Sequence, residues 1–244
     1  MTKTTKTVFV SGADRGVGLA LASVWLGKGY TVFAGQYAEG TQGLSELQQQ
    51  YGEQLQIVQL DVSRDESVAQ AVSYVADRAG QLDLLFNNAA ILGDIQAKIT
   101  DELNYAEMID VFNVNTLGSL RMSQSFMPLL LRGETKMIVN ISSEAGSISN
   151  CHRDSWYAYC MSKAALNMQS KLVHNGFKPL GGRVLAMHPG WVQTYMQGKL
   201  DANAELTPEQ SAASITRVVE EKLAQPQSQA ECEYVDYNGT AMNW

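Results

Sequence analysis

"VFVSGADRGVGLALA" (Val8–Ala22) decides how this chain folds. A short β-branched and aromatic run leads without a break into glycines at 12, 16 and 18, and then into Leu and Ala suited to a helix. A strand that enters a helix through a glycine turn opens a βαβ unit. Such glycines let the backbone come close to a bound phosphate. The first helical turn adds free N–H groups at the positive end of its dipole. The spacing is G-x3-G-x-G rather than G-x-G-x-x-G, so it is the strand–turn–helix context that gives the pattern its force.

Outward from that turn the chain alternates short apolar runs with longer amphipathic stretches, the mark of a parallel sheet. Strands are expected at Thr7–Val10, Tyr30–Gly35, Gln56–Leu60, Leu82–Phe86, Lys136–Ile141, Arg183–Met187 and Glu233–Asp236. Helices are expected near 17–28, 42–51, 65–79, 103–131, 156–177 and 208–224. Several strands are apolar throughout (VFV, LLF, MIVNI), as when helices cover both faces. Glu39–Gly43 reads as a loop and Leu200–Leu206 as a mobile surface segment. With no linker, repeat or low-complexity stretch, the expectation is one α/β domain over 1–244. It is a doubly wound, Rossmann-type fold with about seven parallel strands and helices on both faces.

Composition narrows the function. A net charge of −7 over 244 residues argues against nucleic acid as a partner, because binding its phosphates needs a basic face. No apolar run reaches the ~18 residues of a membrane span. The N-terminus turns directly into a strand, without the apolar region and cleavage site of a signal peptide. Cys151, Cys160 and Cys232 form no C-x-x-C pair, and their odd number suits reduced thiols in a cytoplasmic protein. The histidines (His152, His174, His188) lack metal-ligand spacing, so no metal site is expected.

Two places carry chemistry. Folds that bind NAD put an acid near the end of the second strand to hold the ribose 2′-hydroxyl. Here that end reads "FAGQY", with no acid until Glu39, while Arg15 in the glycine turn could pair bidentately with a 2′-phosphate. NADPH/NADP is expected over NADH. The second place is "WYAYCMSKAAL" (156–166), where Tyr159 and Lys163 stand at i and i+4 on one helix face and Tyr157 has no such lysine.

These residues resemble the short-chain dehydrogenase/reductase family along essentially the whole chain. The matching pieces come in order: "SGADRGVG" (11–18), "LDV" (60–62), "NNAA" (87–90), "NVNTLG" (113–118), "NISSEAG" (140–146), "YCMSK" (159–163) and "HPGWVQT" (188–194). The ending "YVDYNGTAMNW" looks like that of its small carbonyl-reductase branch, the sniffer and C-factor-like proteins. The resemblance implies a general acid/base at Tyr159 with Lys163 as its partner, which also holds the nicotinamide ribose. An ammonium so close would lower the phenol's pKa. It implies Ser143, rather than Ser142, at the substrate oxygen, and Asn115 supporting a water relay to the lysine. It places Gly12, Arg15, Gly16, Val17 and Gly18 at the cofactor phosphates, Asp61 and Val62 by the adenine, and Asn88 and Ala89 by its ribose. Pro189, Gly190, Val192 and Thr194 would lie by the nicotinamide carboxamide.

The implied activity is hydride transfer between NADPH and a ketone or aldehyde, reversible as alcohol oxidation. A 3-oxoacyl-thioester reductase and a dinucleotide-binding signalling protein that does not turn over are the alternatives. Ala90 stands where the family usually has glycine, and strain would follow if that backbone needs φ > 0. Segment 147–156 and the short stretch after Thr194 should wall an open pocket, with Ile91, His152, Trp156, Tyr195 and Met196 as wall residues. Cys160 reads as a small buried hydrophobe, and His188 as structural. The helices 103–131 and 156–177 are the family's usual interface, so a homodimer or homotetramer is implied; "MSQSFMPLLL" (122–131) offers an apolar face that could equally lie on the sheet.

Overall fold

A computed structural model describes residues 5–227 and 230–244. Seven parallel strands run in the order β3-β2-β1-β4-β5-β6-β7. They are β1 (Thr7–Ser11), β2 (Thr31–Gln36), β3 (Leu55–Gln59), β4 (Leu84–Asn87), β5 (Met137–Ile141), β6 (Arg183–His188) and β7 (Glu233–Asp236). The order reverses between β1 and β4, so the loops leaving their C-terminal ends part there and open a crevice, the usual ligand position in such sheets.

The helices are α1 (Gly16–Gly27), α2 (Gln42–Tyr51), α3 (Asp65–Ala79), α4 (Tyr105–Phe112), α5 (Ser119–Arg132), α6 (Tyr157–Phe177) and α7 (Pro208–Ala224). One core lies under α1, α2 and α7, with Leu21, Trp25, Leu44, Ile215 and Val219 packed on Val8, Val10 and Val139. The other lies under α3, α5 and α6, with Val68, Met122, Phe126 and Phe177 on Phe9, Phe33 and Ile138. Both strand faces are therefore apolar, which is why the strands read as continuous runs.

Three expectations need correcting, and one left open, the apolar face of 122–131, is decided. The helix expected over 103–131 is broken by a π-helical turn, Asn113–Gly118, between α4 and α5. The buried Asn115 side chain is engaged outside the helix, and a Cβ at Gly118 would come 2.8 Å from the Val62 side chain, so the widened turn fits between two loops. The apolar residues of 122–131 mostly face the sheet: Met122, Phe126, Leu129 and Leu130 are buried. The loop after β2 ends earlier than expected, since Gln42 and Gly43 are already helical. Leu200–Leu206 is folded back rather than loose: Gln193 N–H donates to Leu206 O (2.9 Å), Leu206 N–H to Trp191 O (3.1 Å) and the Trp191 indole to Asp201 (2.8 Å). Among the described residues no helix is long and apolar enough to cross a membrane.

Candidate active site

The glycine turn is shaped by contacts that exclude side chains. Gly12 has φ +64°, and a Cβ on Gly18 would lie 2.1 Å from Gly12 O. The turn is thus a bare backbone cradle at the start of α1, a surface that fits a dinucleotide pyrophosphate. Val17 is buried behind it, and Thr194 reaches it from the loop after β6, its Cγ2 being 3.3 Å from where a Gly16 Cβ would stand. Ser11 Oγ receives the N–H groups of Asn88 (3.0 Å) and Ala89 (3.1 Å), and Asn88 Nδ2 donates to Ser11 O and Gly12 O at 3.0 Å each. The Asn88 amide therefore also braces the turn. Ala90 is not among the residues of positive φ, so the feared strain is absent.

Arg15 is exposed at the N-terminus of α1. Its neighbour Asp14 lies in the turn, far in sequence from the end of β2 where an acid is expected. From the turn, its two oxygens accept the N–H groups of Tyr37 and Ala38 at 3.1 Å each. Asp61 accepts from Ser63 N–H (2.9 Å) and Oγ (2.6 Å), and Arg121 of α5, not singled out by the sequence, donates to Val62 O (2.7 Å) and pairs with Asp65. In the loop after β6, Pro189 O accepts from Ser211 Oγ (2.7 Å), Gly190 approaches Leu206 and Tyr237, and Val192 bridges to Leu206.

Across the crevice, Tyr159 and Lys163 project from α6, both buried. Lys163 Nζ donates to Ile141 O (2.8 Å) and lies 5.5 Å from the centre of the Tyr159 ring. Burial governs both groups. It raises the phenol to about 12, against an opposing hydrogen-bonding contact with Ser143, and lowers the lysine to about 7. Where the lysine is expected to lower the phenol, burial instead dominates and raises it. Desolvation disfavours the charged form of each, so neither is a strong ion for the other to feel.

Ser143 follows β5 and its hydroxyl accepts from Ala145 N–H (3.2 Å), whereas Ser142 Oγ is committed to Asn167 Oδ1 (2.6 Å). Among the described residues Asn115 makes no direct hydrogen bond to Lys163. Its amide donates to Ile91 O (2.8 Å) and Ser162 Oγ (3.0 Å), and its oxygen accepts from Ile91 N–H (2.8 Å).

Of the wall residues, Trp156 reaches the tyrosine, with ring centres 6.1 Å apart and edge to face. It holds a left-handed backbone (φ 66°), which costs a non-glycine residue about 1–2 kcal/mol. Arg153 stacks on Trp156 at 4.9 Å and forks onto Glu144. His152, Ile91, Tyr195 and Met196 are exposed. Cys160 packs beside Leu92, Ala145 and Tyr159, and burial raises its thiol. Burial likewise lowers His188. A cavity of about 520 Å³ lined by His174, Lys178 and Glu231 lies at the other end of α6, away from this chemistry.

A bare phosphate cradle facing a buried tyrosine–lysine pair across the switch point defines a nicotinamide-dinucleotide oxidoreductase. The profile of the short chain dehydrogenase family matches residues 6–205, and the chain belongs to that family, in a carbonyl-reductase-like branch. It is 34% identical over 165 residues to the "C-signal" of Myxococcus xanthus, covering 68% of this chain and 94% of that protein. Its fold superposes on NADPH-bound carbonyl reductase from chicken fatty liver with TM-score 0.86, 30% identity and coverage of 99% and 100% of the two chains. It matches the carbonyl reductase Sniffer of D. melanogaster with TM-score 0.87, 25% identity and coverage of 98% and 100%.

Proposed function

We propose that this protein is an NADPH-dependent reductase of ketones or aldehydes, able to run in reverse as an alcohol dehydrogenase, with Tyr159 as its general acid. The observation that carries this reading is the geometry of a buried phenol on α6, in hydrogen-bonding contact with Ser143 and with Lys163 Nζ 5.5 Å from its ring centre. When bound, the dinucleotide supplies the hydride. Tyr159 gives its proton to the substrate oxygen, Ser143 donates a hydrogen bond to that oxygen, and Lys163 steadies the nicotinamide ribose. Asn115 holds the Ile91 backbone at the pocket edge and supports the proton path to Lys163. Gly12, Gly16, Val17 and Gly18 would receive the phosphates. Asp61, Val62, Asn88 and Ala89 would flank the adenosine, and Pro189, Gly190, Val192 and Thr194 the carboxamide.

The NADPH preference is supported by Arg15, the exposed cation of the turn, and by likeness to a carbonyl reductase that binds NADPH. The cation suits a 2′-phosphate because Asp14 spends both its oxygens on main-chain N–H groups. Likeness to the C-signal favours a second reading, a dinucleotide-binding signalling protein that does not turn over. The thioester reading has less support: on α7, Arg217 pairs with Glu221 and Lys222 with Glu233, leaving little basic surface for an acidic carrier. We also propose a homo-oligomer formed through the exposed apolar residues of α5 and α6.

The test follows NADPH and NADH consumption with a panel of ketones, aldehydes and diketones, in the wild type and Tyr159→Phe. Turnover should fall by at least ~10²-fold in the variant, with NADPH affinity kept and NADPH preferred over NADH. Full turnover in Tyr159→Phe would overturn the reductase reading. NADPH binding with no turnover of any carbonyl would favour the signalling one.

A further inference from the structure

The segment after β7 lies beyond the stretch that matches the family profile, which ends at residue 205. Tyr234, buried on the edge strand β7, donates its hydroxyl to the main-chain oxygen of Ser143. The chain then turns back: Asp236 accepts the N–H groups of Asn238 (2.9 Å) and Thr240 (2.8 Å). Ala241 bridges antiparallel to Val235, and Met242 N–H donates to Tyr234 O (2.8 Å). This return lays the Trp244 ring on Tyr234, with centres 5.3 Å apart. The main-chain oxygen of Trp244 accepts from Ser149 N–H (3.2 Å) and Ser149 Oγ (2.8 Å).

Ser149 sits on the 147–156 wall, the segment that carries Arg153 and Trp156. The wall is also held at its ends, by Ser147 N–H on Glu144 O (3.1 Å) and by Trp156 packing on Tyr159, and between them by the ion pairs Arg153–Glu144 and Lys98–Asp154, both partly or largely exposed. Such pairs each contribute only about 0–1 kcal/mol. The contact through Trp244 is backed by aromatic packing on a buried tyrosine that also holds the Ser143 backbone.

We infer that Tyr234 and Trp244 are positioning residues for the carbonyl substrate: they lock Ser143 and the 147–156 wall into one rigid unit. This rests on the reductase reading. Ser143 meets the substrate oxygen and Trp156 flanks Tyr159, so a wall that drifts loosens the grip on the carbonyl without touching the dinucleotide cradle.

The experiment compares Trp244→Ala, Trp244→Phe, Ser149→Ala and Tyr159→Phe. Trp244→Ala should raise KM for the carbonyl roughly tenfold, as expected for a misplaced positioning group, with NADPH affinity unchanged. Trp244→Phe, which keeps an aromatic ring on Tyr234, should restore most of the loss. Ser149→Ala, an exposed change that does not threaten folding, should give a smaller rise in the same constant. Without any substrate, trypsin should cleave after Arg153 several-fold faster in Trp244→Ala than in wild type, and at the wild-type rate in Tyr159→Phe. Unchanged carbonyl KM and unchanged cleavage in Trp244→Ala would overturn the inference. So would an equal loss of NADPH affinity that Trp244→Phe does not rescue, since that marks general destabilisation. Full turnover in Tyr159→Phe would instead defeat the reductase reading, while the cleavage comparison would still decide whether the wall is held.

Discussion

Tyr159 and Lys163 share a helix face because they are four residues apart, and that much is readable from the sequence. Their protonation is not, because it depends on how deeply α6 buries them. With Lys163 lowered from 10.5 to about 7, the unfolded chain binds more protons than the folded one between those values. Stability should therefore rise with pH across that window. Lys163→Met should remove that slope, which denaturant midpoints measured from pH 7 to 10 would reveal; an unchanged slope would mean the lysine keeps its ordinary pKa in the fold. Tyr159, raised to about 12, remains a proton donor throughout this range. Alcohol oxidation, which needs the phenolate, should accordingly climb with pH while carbonyl reduction stays level.

At the scale of elements, the strands were legible to within one or two residues at each end, because sheet strands covered on both faces are apolar throughout. The break between α4 and α5 was not legible. Apolar spacing runs through "NVNTLG", and nothing local distinguishes a π turn from a continuing helix. What opens that turn is tertiary: Asn115 bonds both main-chain groups of Ile91, from the loop after β4, and Ser162 on α6. Asn115→Ala would leave the partly buried main-chain groups of Ile91 without their side-chain partner and should cost about 1–3 kcal/mol in a denaturation experiment. It should also lower turnover, while Asn115→Asp should recover only part of the lost stability. Likewise, Leu200–Leu206 reads as a polar surface stretch. Only the return of the chain against Trp191 and Gln193 reveals what pins it.

For the molecule as a whole, two helical layers leave a distinct apolar surface on α5 and α6. Leu172 and Met168 are each 63% exposed, and Leu120 is 39% exposed nearby. Exposed apolar side chains of this kind favour association, and a second copy of the chain is the proposed occupant. Leu172→Glu should shift sedimentation toward the monomer with the circular dichroism spectrum intact, whereas a wild type already monomeric would reject the oligomer. The sequence by itself determined the parallel sheet, the glycine cradle and the tyrosine–lysine pair, since each follows from periodicity, backbone sterics or spacing along a single element. Tertiary structure decided the raised phenol, the Asp14 clamp on the end of β2, the π turn at Asn115 and the path from Trp244 to Ser143. Each of these depends on burial or on contacts between residues far apart in the chain, which local pattern cannot encode.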